Sequence, residues 1–451
     1  MAKPRVEFRC EECGATAPQW AGKCAACGAW NSLQEGRALT ASPALVGVSL
    51  FQPAVPVVEV DMAEWEARST GIAELDRVLA GGLVPGSVTL VGGEPGVGKS
   101  TLLTQAAAAM AHGGGRVLYV TAEESSQQVR LRAERLGALA PRLLLAAETS
   151  LPNIVSHLDA VRPDVVIVDS IQTVHDPDLG SAPGSVVQVR ECAHRLVREA
   201  KERGVAIVLV GHVTKDGALA GPRVLEHVVD TVLSFEGEHH HALRLVRAVK
   251  HRFGSTNEVG LFEMSDSGLI PVPDASALFL ADRRPGVPGS AVVPALDGHR
   301  PLLVEVQALT IDNNAPMARR SAQGLDAGRL AFLLAVLERH AALAIAKHDV
   351  FALAVGGARV VEPGADLAIA LAVASSHANL PLADDVVACA ELGLGGELRQ
   401  VSQTPRRLAE AARLGFQRVF LPHSAPEPPP GLTAVRAATI GEAITLAGLR
   451  S

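Results

Sequence analysis

Aromatic side chains are scarce in this 451-residue chain: three Trp, one Tyr and ten Phe make up 3% of it. Ala, Val, Leu and Gly must therefore fill its cores, which suits α/β layers packed through small side chains. A surplus of positive charge is also missing. The formal net charge is −7, so contact with nucleic acid would have to come from a local basic surface instead of a global cationic field. Long apolar runs are absent too. The nearest candidate for a membrane span, AFLLAVLERHAALAIA, is cut by Glu338, Arg339 and His340 and reads as an amphipathic helix. The opening MAKPRVEFRCEEC carries charge where a secretory signal needs an apolar segment, so a cytoplasmic location without a membrane partner is expected. In a reducing compartment, spaced cysteine pairs bind metal more often than each other.

What is present begins with such pairs. Cys10-x2-Cys13 and Cys24-x2-Cys27 are two knuckles whose thiolates can close a tetrahedron around one Zn²⁺. Four protein ligands leave no position for water, so the site is expected to be structural. Trp20 and Trp30 are expected to form the miniature core of this ribbon, ahead of a base-stacking role. Cys192 lies in a helical stretch and Cys389 in the apolar string DVVACAEL, and both are expected to be buried.

Composition divides the chain into a ribbon at 1–35, a Pro- and Ala-rich linker at 36–66, an alternating strand and helix region at 67–272, and a second module at 273–451. The alternation predicts a mostly parallel sheet with crossover helices, closed by an antiparallel pair at one edge. The run His239, His240 and His241 is expected to be an exposed hairpin turn.

Within the third region GEPGVGKST, comprising Gly93, Glu94, Pro95, Gly96, Val97, Gly98, Lys99, Ser100 and Thr101, follows the strand SVTLVG and opens a helix. That context marks a phosphate loop for ATP. The glycines let backbone N–H groups converge on phosphates, Lys99 reaches the β/γ oxygens and Ser100 ligates Mg²⁺. VVIVDS ends a buried strand in Asp169, the candidate for the magnesium water shell. RVLYVTAEES carries Glu123 and Glu124 at a neighbouring strand end; Glu123 is the favoured carboxylate for orienting the attacking water, with Glu124 the alternative. The strand VAIVLVGHVTKDG brings His212, Thr214 and Lys215 to the same edge, where His212 and Thr214 are candidate γ-phosphate sensors, although His212 also reads as a core histidine.

Taken in order, the four-cysteine ribbon, GGEPGVGKST, VVIVDSIQT, VLVGHVTKDGALAGPRVLEHVVD, KHRFGST and the tail resemble the bacterial RadA (Sms) family. The resemblance implies a RecA-like ATPase, a homo-hexameric ring, binding of single-stranded and branched DNA, branch migration of recombination intermediates, and the RecA recombinase as a partner. The other reading is a nucleotide switch that stabilises DNA joints or a recombinase without translocating. The family signature KNRFG stands here as KHRFG, with His251 in place of Asn. By composition Lys250 and Arg252 read as a solvated pair on an edge strand. In a ring they become catalytic cations donated to the neighbouring subunit's γ-phosphate. Arg190, Lys215 and Arg223, within the Gly/Pro-rich loops HDPDLGSAPGSVVQVR and TKDGALAGPRVLEH, are candidate contacts to DNA phosphates, with affinity expected to depend on salt and sequence preference to be weak.

The tail resembles the Lon protease domain, but Gly364 stands where the catalytic serine would lie and Pro405 where its lysine would lie. No proteolysis is therefore expected. Ser375 and Ser376 lie a helical stretch away. The tail reads as a scaffold, with Arg406, Arg407 and Arg413 as further candidate DNA contacts. The expected fold class is α/β: a zinc ribbon, a RecA-like P-loop core and an α+β Lon-like domain.

Overall fold

The computed structural model describes residues 6–10, 16–17, 19–26, 28, 30–37, 55–59, 65–212, 223–237, 243–313 and 317–450. The chain divides into two compact units, Met1–Val272 and Pro273–Ser451. Among the described residues, no helix is long and apolar enough to cross a membrane.

The first unit opens with three short strands, in which β1 (Val6–Cys10) pairs antiparallel with both β2 (Thr16–Ala17) and β3 (Leu33–Arg37). Cys10, Cys24 and Leu33 fill the interior, with Phe8 and Ala17 against them. The two tryptophans expected in this core lie outside it: Trp20 is 57% and Trp30 73% exposed. Strands this short enclose a space that two thiols and a leucine already occupy, leaving no volume for an indole.

The rest of the first unit is built on a sheet fed by alternating helices. In order these are α1 (Ala73–Val78), β4 (Val88–Gly93), α2 (Lys99–His112), β5 (Val117–Thr121), α3 (Ser126–Arg135), β6 (Leu143–Ala147) and α4 (Leu151–Val161). They continue with β7 (Val165–Asp169), α5 (Val186–Arg203), β8 (Ala206–His212), α6 (Arg223–Glu226) and β9 (Thr231–Glu236). Strands β4 to β9 are parallel. Every residue of β4, β5 and β7 is buried, which is why these strands read as continuous apolar runs without alternation. Helices cover both faces and give two apolar clusters, one around Leu102, Val208 and Phe262, the other around Leu118, Leu158 and Leu196.

The antiparallel edge extends further than the expected pair. β10 (Leu243–His251), β11 (Val259–Ser265) and β12 (Gly268–Pro271) follow β9 as a meander, giving the order β12-β11-β10-β9-β4-β8-β7-β5-β6. β11 escapes a pattern reading because its first four residues are all buried. Gly260 within it lies so close to α1 that a Cβ would come 2.4 Å from the Glu74 carbonyl oxygen.

The second unit contains α7 (Ala275–Leu280), β13 (Ser290–Asp297), β14 (Arg300–Asp312), β15 (Arg320–Gln323), α8 (Ala327–His340), β16 (His348–Ala354) and α9 (Asp366–Ala378). It ends with β17 (Val386–Ala388), β18 (Glu391–Leu392), β19 (Leu398–Arg399), α10 (Thr404–Arg413), β20 (Arg418–Pro422), β21 (Thr433–Ala437) and α11 (Ile440–Leu446). Its mixed sheet runs β15-β16-β14-β13-β17-β20-β21. The first ten residues of the apolar string that looked closest to a membrane span belong to α8, capped by Asp326 and ending at His340, and its remaining residues lie beyond the helix. Ser375 and Ser376 lie on α9 and accept hydrogen bonds from the backbone N–H groups of Gly289 and Thr310, both at 2.9 Å.

Gly364 lies in a buried turn, and Pro405 opens α10. A Cβ on Gly364 would meet Nη1 of Arg407 at 2.8 Å. Arg407 is 1% exposed, and its guanidinium pairs with Glu362 while donating to the carbonyls of Pro294 and Ser402. Burial is the largest single influence and would lower its pKa, but the Glu362 hydrogen bonds together with the charges of Cys389 and Glu362 raise it on balance. Arg407 is thus committed inside the fold and is not a surface contact for DNA. Arg413 is paired with Asp274 and Glu410, whereas Arg406 is exposed. Cys192 and Cys389 are buried as expected, and burial pushes both thiols up to about 12.

Candidate nucleotide site

The loop between β4 and α2 has the backbone that its glycines make possible. Gly96 and Gly98 take φ of +78° and +117°, conformations that a side chain would strain. At Gly93 a Cβ would lie 2.5 Å from the Phe235 carbonyl oxygen. Glu94, Pro95 and Gly96 are exposed at the tip, and Val97 is buried beneath it. Lys99 starts α2, and its ammonium donates to the carbonyls of Gly93 at 2.7 Å and Glu94 at 2.9 Å. Burial lowers the Lys99 pKa, opposed by the charges of Asp169 and Glu123. Ser100 and Thr101 follow on the first turn, half-buried.

Asp169 ends β7 at 9% exposure, opposite Thr121 of β5. The Tyr119 hydroxyl donates to its Oδ2 at 2.7 Å. The next peptide, Asp169–Ser170, is cis, and Ser170 donates to Glu123. Glu124 turns the other way and forms a two-oxygen ion pair with Arg132 of α3. Both glutamates lie in the bend that follows β5, which ends at Thr121, and there they have separate surroundings. Glu123 shares the field of Lys99 and Asp169; Glu124 is tied to a helix.

His212 ends β8 beside Gly93, with which it is paired in register. Thr214, Lys215 and the three-histidine run lie outside the described residues. Arg223 opens α6. Arg190 sits on α5 and not in a loop, and its guanidinium donates to Glu191 at 3.0 and 3.1 Å.

Lys250 and Arg252 lie at the far end of the same sheet. β9 runs parallel to β4, with Phe235 beside Gly93, whereas β10 runs back and sets His251 beside Thr231. Lys250 donates to the carbonyls of Glu226 at 2.6 Å and Val229 at 2.7 Å; burial and then Arg252 lower its pKa. Arg252 pairs with Asp230 at 3.1 Å, and the other oxygen of Asp230 accepts the Val88 N–H at 3.0 Å. Val88 is the first residue of β4 and Gly93 its last. At about 3.3 Å per residue the strand separates the cations from their own phosphate loop by roughly 16 Å. The Arg252 side chain remains 52% exposed.

His251 is turned inward between the two cations. Its Nδ1 is 3.0 Å from the Thr231 hydroxyl, its ring meets Phe253 edge-on at 6.1 Å, and burial lowers its pKa. At neutral pH it therefore adds no third charge. Gly254 closes the turn where a Cβ would come 2.5 Å from that of Ala80.

The structure adds two residues that the sequence reading passed over. Tyr119, the only tyrosine of the chain, is 2% exposed behind Asp169, and burial and then Asp169 raise its pKa well above the ordinary value. Arg244 is 6% exposed and donates to the Val97 carbonyl at 3.1 Å, a buried cation beneath the phosphate loop. It falls in phase with buried Val246 and Ala248 on β10, and a cation in the buried phase of an alternating strand is a readable signal.

In the ribbon, Cys10 and Cys24 pack together, one from each knuckle, with Ser32 at 3.2 Å from the Cys10 sulfur. Their partners Cys13 and Cys27 lie outside the described residues. Two buried thiols brought together by a short sheet fit a soft-ligand structural Zn²⁺ site.

Three family models match the chain: a rubredoxin metal binding domain at residues 8–35, an AAA domain at 56–218, and subunit ChlI of Mg-chelatase at 344–425. Among solved structures, a KaiC-like protein from Pyrococcus horikoshii is 21% identical with a TM-score of 0.39, covering 46% of this chain and 100% of its own. DNA repair protein RadA of Pseudomonas aeruginosa is 49% identical over 98% of this chain and 99% of its own. RadA of Halalkalibacterium halodurans is 48% identical over 94% and 93%, and RadA of Bacillus subtilis 44% over 98% and 99%. With near-complete coverage at this identity, and with its P-loop ATPase core preceded by a ribbon and followed by a second unit, the chain belongs to the RadA family of bacterial DNA repair proteins.

Proposed function

We propose that the chain is a cytoplasmic DNA-stimulated ATPase working as a ring of its own copies, a hexamer, on single-stranded and branched DNA. It promotes branch migration of recombination intermediates together with the RecA recombinase. One observation carries this reading: Lys250 and Arg252 stand at the opposite end of β4 from their own phosphate loop, with Arg252 half-exposed. Cations so placed serve a neighbour's nucleotide, which makes hydrolysis a property of the assembly.

In this reading Lys99 exchanges its two loop carbonyls for the β/γ-phosphate oxygens of ATP. Ser100 and Asp169 hold Mg²⁺ and its water shell, and Tyr119 fixes the carboxylate of Asp169. The bound Mg²⁺ neutralises phosphate charge. Glu123 orients the attacking water, His212 and Thr214 sense the γ-phosphate, and Arg190, Lys215 and Arg223 contact DNA phosphates. Cys10, Cys13, Cys24 and Cys27 hold the structural Zn²⁺. The second unit is a Lon-like scaffold without proteolytic activity, its serine position filled by the Arg407–Glu362 pair.

The test is a three-strand joint molecule with labelled arms, incubated with the protein and ATP. Movement of the junction that disappears with Lys99→Ala supports the motor. DNA-stimulated hydrolysis with a static junction refutes it in favour of a switch.

A further inference from the structure

The ribbon leaves its two largest apolar side chains in solvent although its core is complete without them. They are held close together. Lys23 and Trp30 form an antiparallel bridge, and Asn31 N–H donates to the Gly22 carbonyl at 2.9 Å. Gly22 lies between the indoles: a Cβ there would be 4.0 Å from Trp20 and 4.0 Å from Trp30. The Lys23 ammonium stands 5.5 Å from the centre of the Trp30 ring.

From these residues we propose that Trp20, Trp30 and Lys23 form a platform on which unpaired bases of single-stranded DNA stack, Lys23 leaving the indole face for the adjoining phosphate. The chemistry of the occupant follows from the surface. Two flat π faces and one ammonium, with no side chain between them at Gly22, match a base and its phosphate. Among the described residues the other exposed rings, Trp65 and Phe253, face each other at 6.4 Å, so the ribbon holds the open aromatic surface. Stacking tolerates any base, which suits a protein that acts on DNA without sequence preference.

This inference rests on the reading that the chain binds single-stranded DNA, and the test separates the two. The full-length protein is titrated with a thymidine 30-mer and with an abasic oligomer of the same length. Three chains are compared: the wild type, the Trp20→Ala/Trp30→Ala variant and the Trp20→Phe/Trp30→Phe variant, each assayed for bound zinc. The wild type is expected to prefer the thymidine oligomer, the Ala variant to lose at least about five-fold in affinity for it per stacked base, and the Phe variant to retain most of it. Affinity for the abasic oligomer should stay the same in all three. If the Ala variant loses zinc, the wild-type preference and its survival in the zinc-loaded Phe variant decide the question. Equal binding of thymidine and abasic oligomers by the wild type, or an unchanged affinity in the zinc-loaded Ala variant, overturns the platform and leaves DNA binding standing. Failure of the wild type to bind either oligomer overturns both.

Discussion

Tyr119 and Asp169 are joined by a 2.7 Å hydrogen bond between neighbouring strands, both side chains buried. The bond fixes one carboxylate oxygen, and the charge of Asp169 acts on Lys99 of the phosphate loop. A hydrogen bond to a charged group contributes about 1.5–3 kcal/mol. Tyr119→Phe is therefore expected to raise the Mg²⁺ concentration for half-maximal ATPase by roughly ten-fold or more, with nucleotide affinity in the absence of metal unchanged. An unaltered Mg²⁺ dependence would show that the tyrosine only fills space.

Glu123 and Glu124 are adjacent but differently occupied, the first beside Ser170 and the second paired with Arg132. Glu123→Gln should bind ATP and lower turnover by at least about 100-fold. Glu124→Gln should retain most turnover and lower the unfolding temperature slightly, through loss of the pair to α3. Single-turnover hydrolysis and calorimetry on both variants check the assignment; the reverse ranking would make Glu124 the water-orienting group.

Arg407 is buried against Glu362 in the second unit. Removing one partner of a buried pair strands the other and costs about 3–5 kcal/mol. Glu362 retains some exposure, so Arg407→Leu should fall near the lower end. Denaturant unfolding should show this loss, and single-stranded DNA affinity should not change. A selective loss of DNA binding with unaltered stability would return Arg407 to the surface contacts.

Burial lowers the pKa of His251. A base whose folded pKa lies below its unfolded one binds fewer protons when folded. Its contribution to stability is therefore full above the ordinary value of about 6.5 and is lost as pH falls through the window beneath it. His251→Asn should make the melting temperature decline less steeply between about pH 7 and about pH 5. Parallel profiles for the two proteins would mean that the histidine does not titrate between folded and unfolded states.

The legible parts of this site are those in which backbone physics demands particular residues. GEPGVGKST needs left-handed glycines and a helix start, and Asp169 needs an apolar strand to carry it to the sheet edge. Side-chain partnerships across strands were not legible. Nothing in RVLYVT marks the tyrosine hydroxyl as facing the end of β7, because that depends on β5 and β7 being neighbours in register. The sequence favours Glu123 but leaves Glu124 as an alternative, and only Arg132, placed by the capped helix α3, separates them by pairing with Glu124. Trp20 and Trp30 misled because hydrophobicity reports a preference for burial, while only the volume enclosed by the ribbon decides whether burial is available.

The placement of Lys250 and Arg252 is the centre of the account, and a subunit-mixing experiment tests it most directly. Lys99→Ala chains can donate the cations but lack the phosphate-binding lysine; Arg252→Ala chains bind nucleotide but cannot donate. Each alone should be nearly inactive, and mixing them before assembly should restore DNA-stimulated ATPase well above the sum of the two, as wild-type sites form between unlike neighbours. Activity no greater than that sum, with mixed assemblies verified by light scattering and differential labelling, would contradict catalysis completed across the subunit boundary.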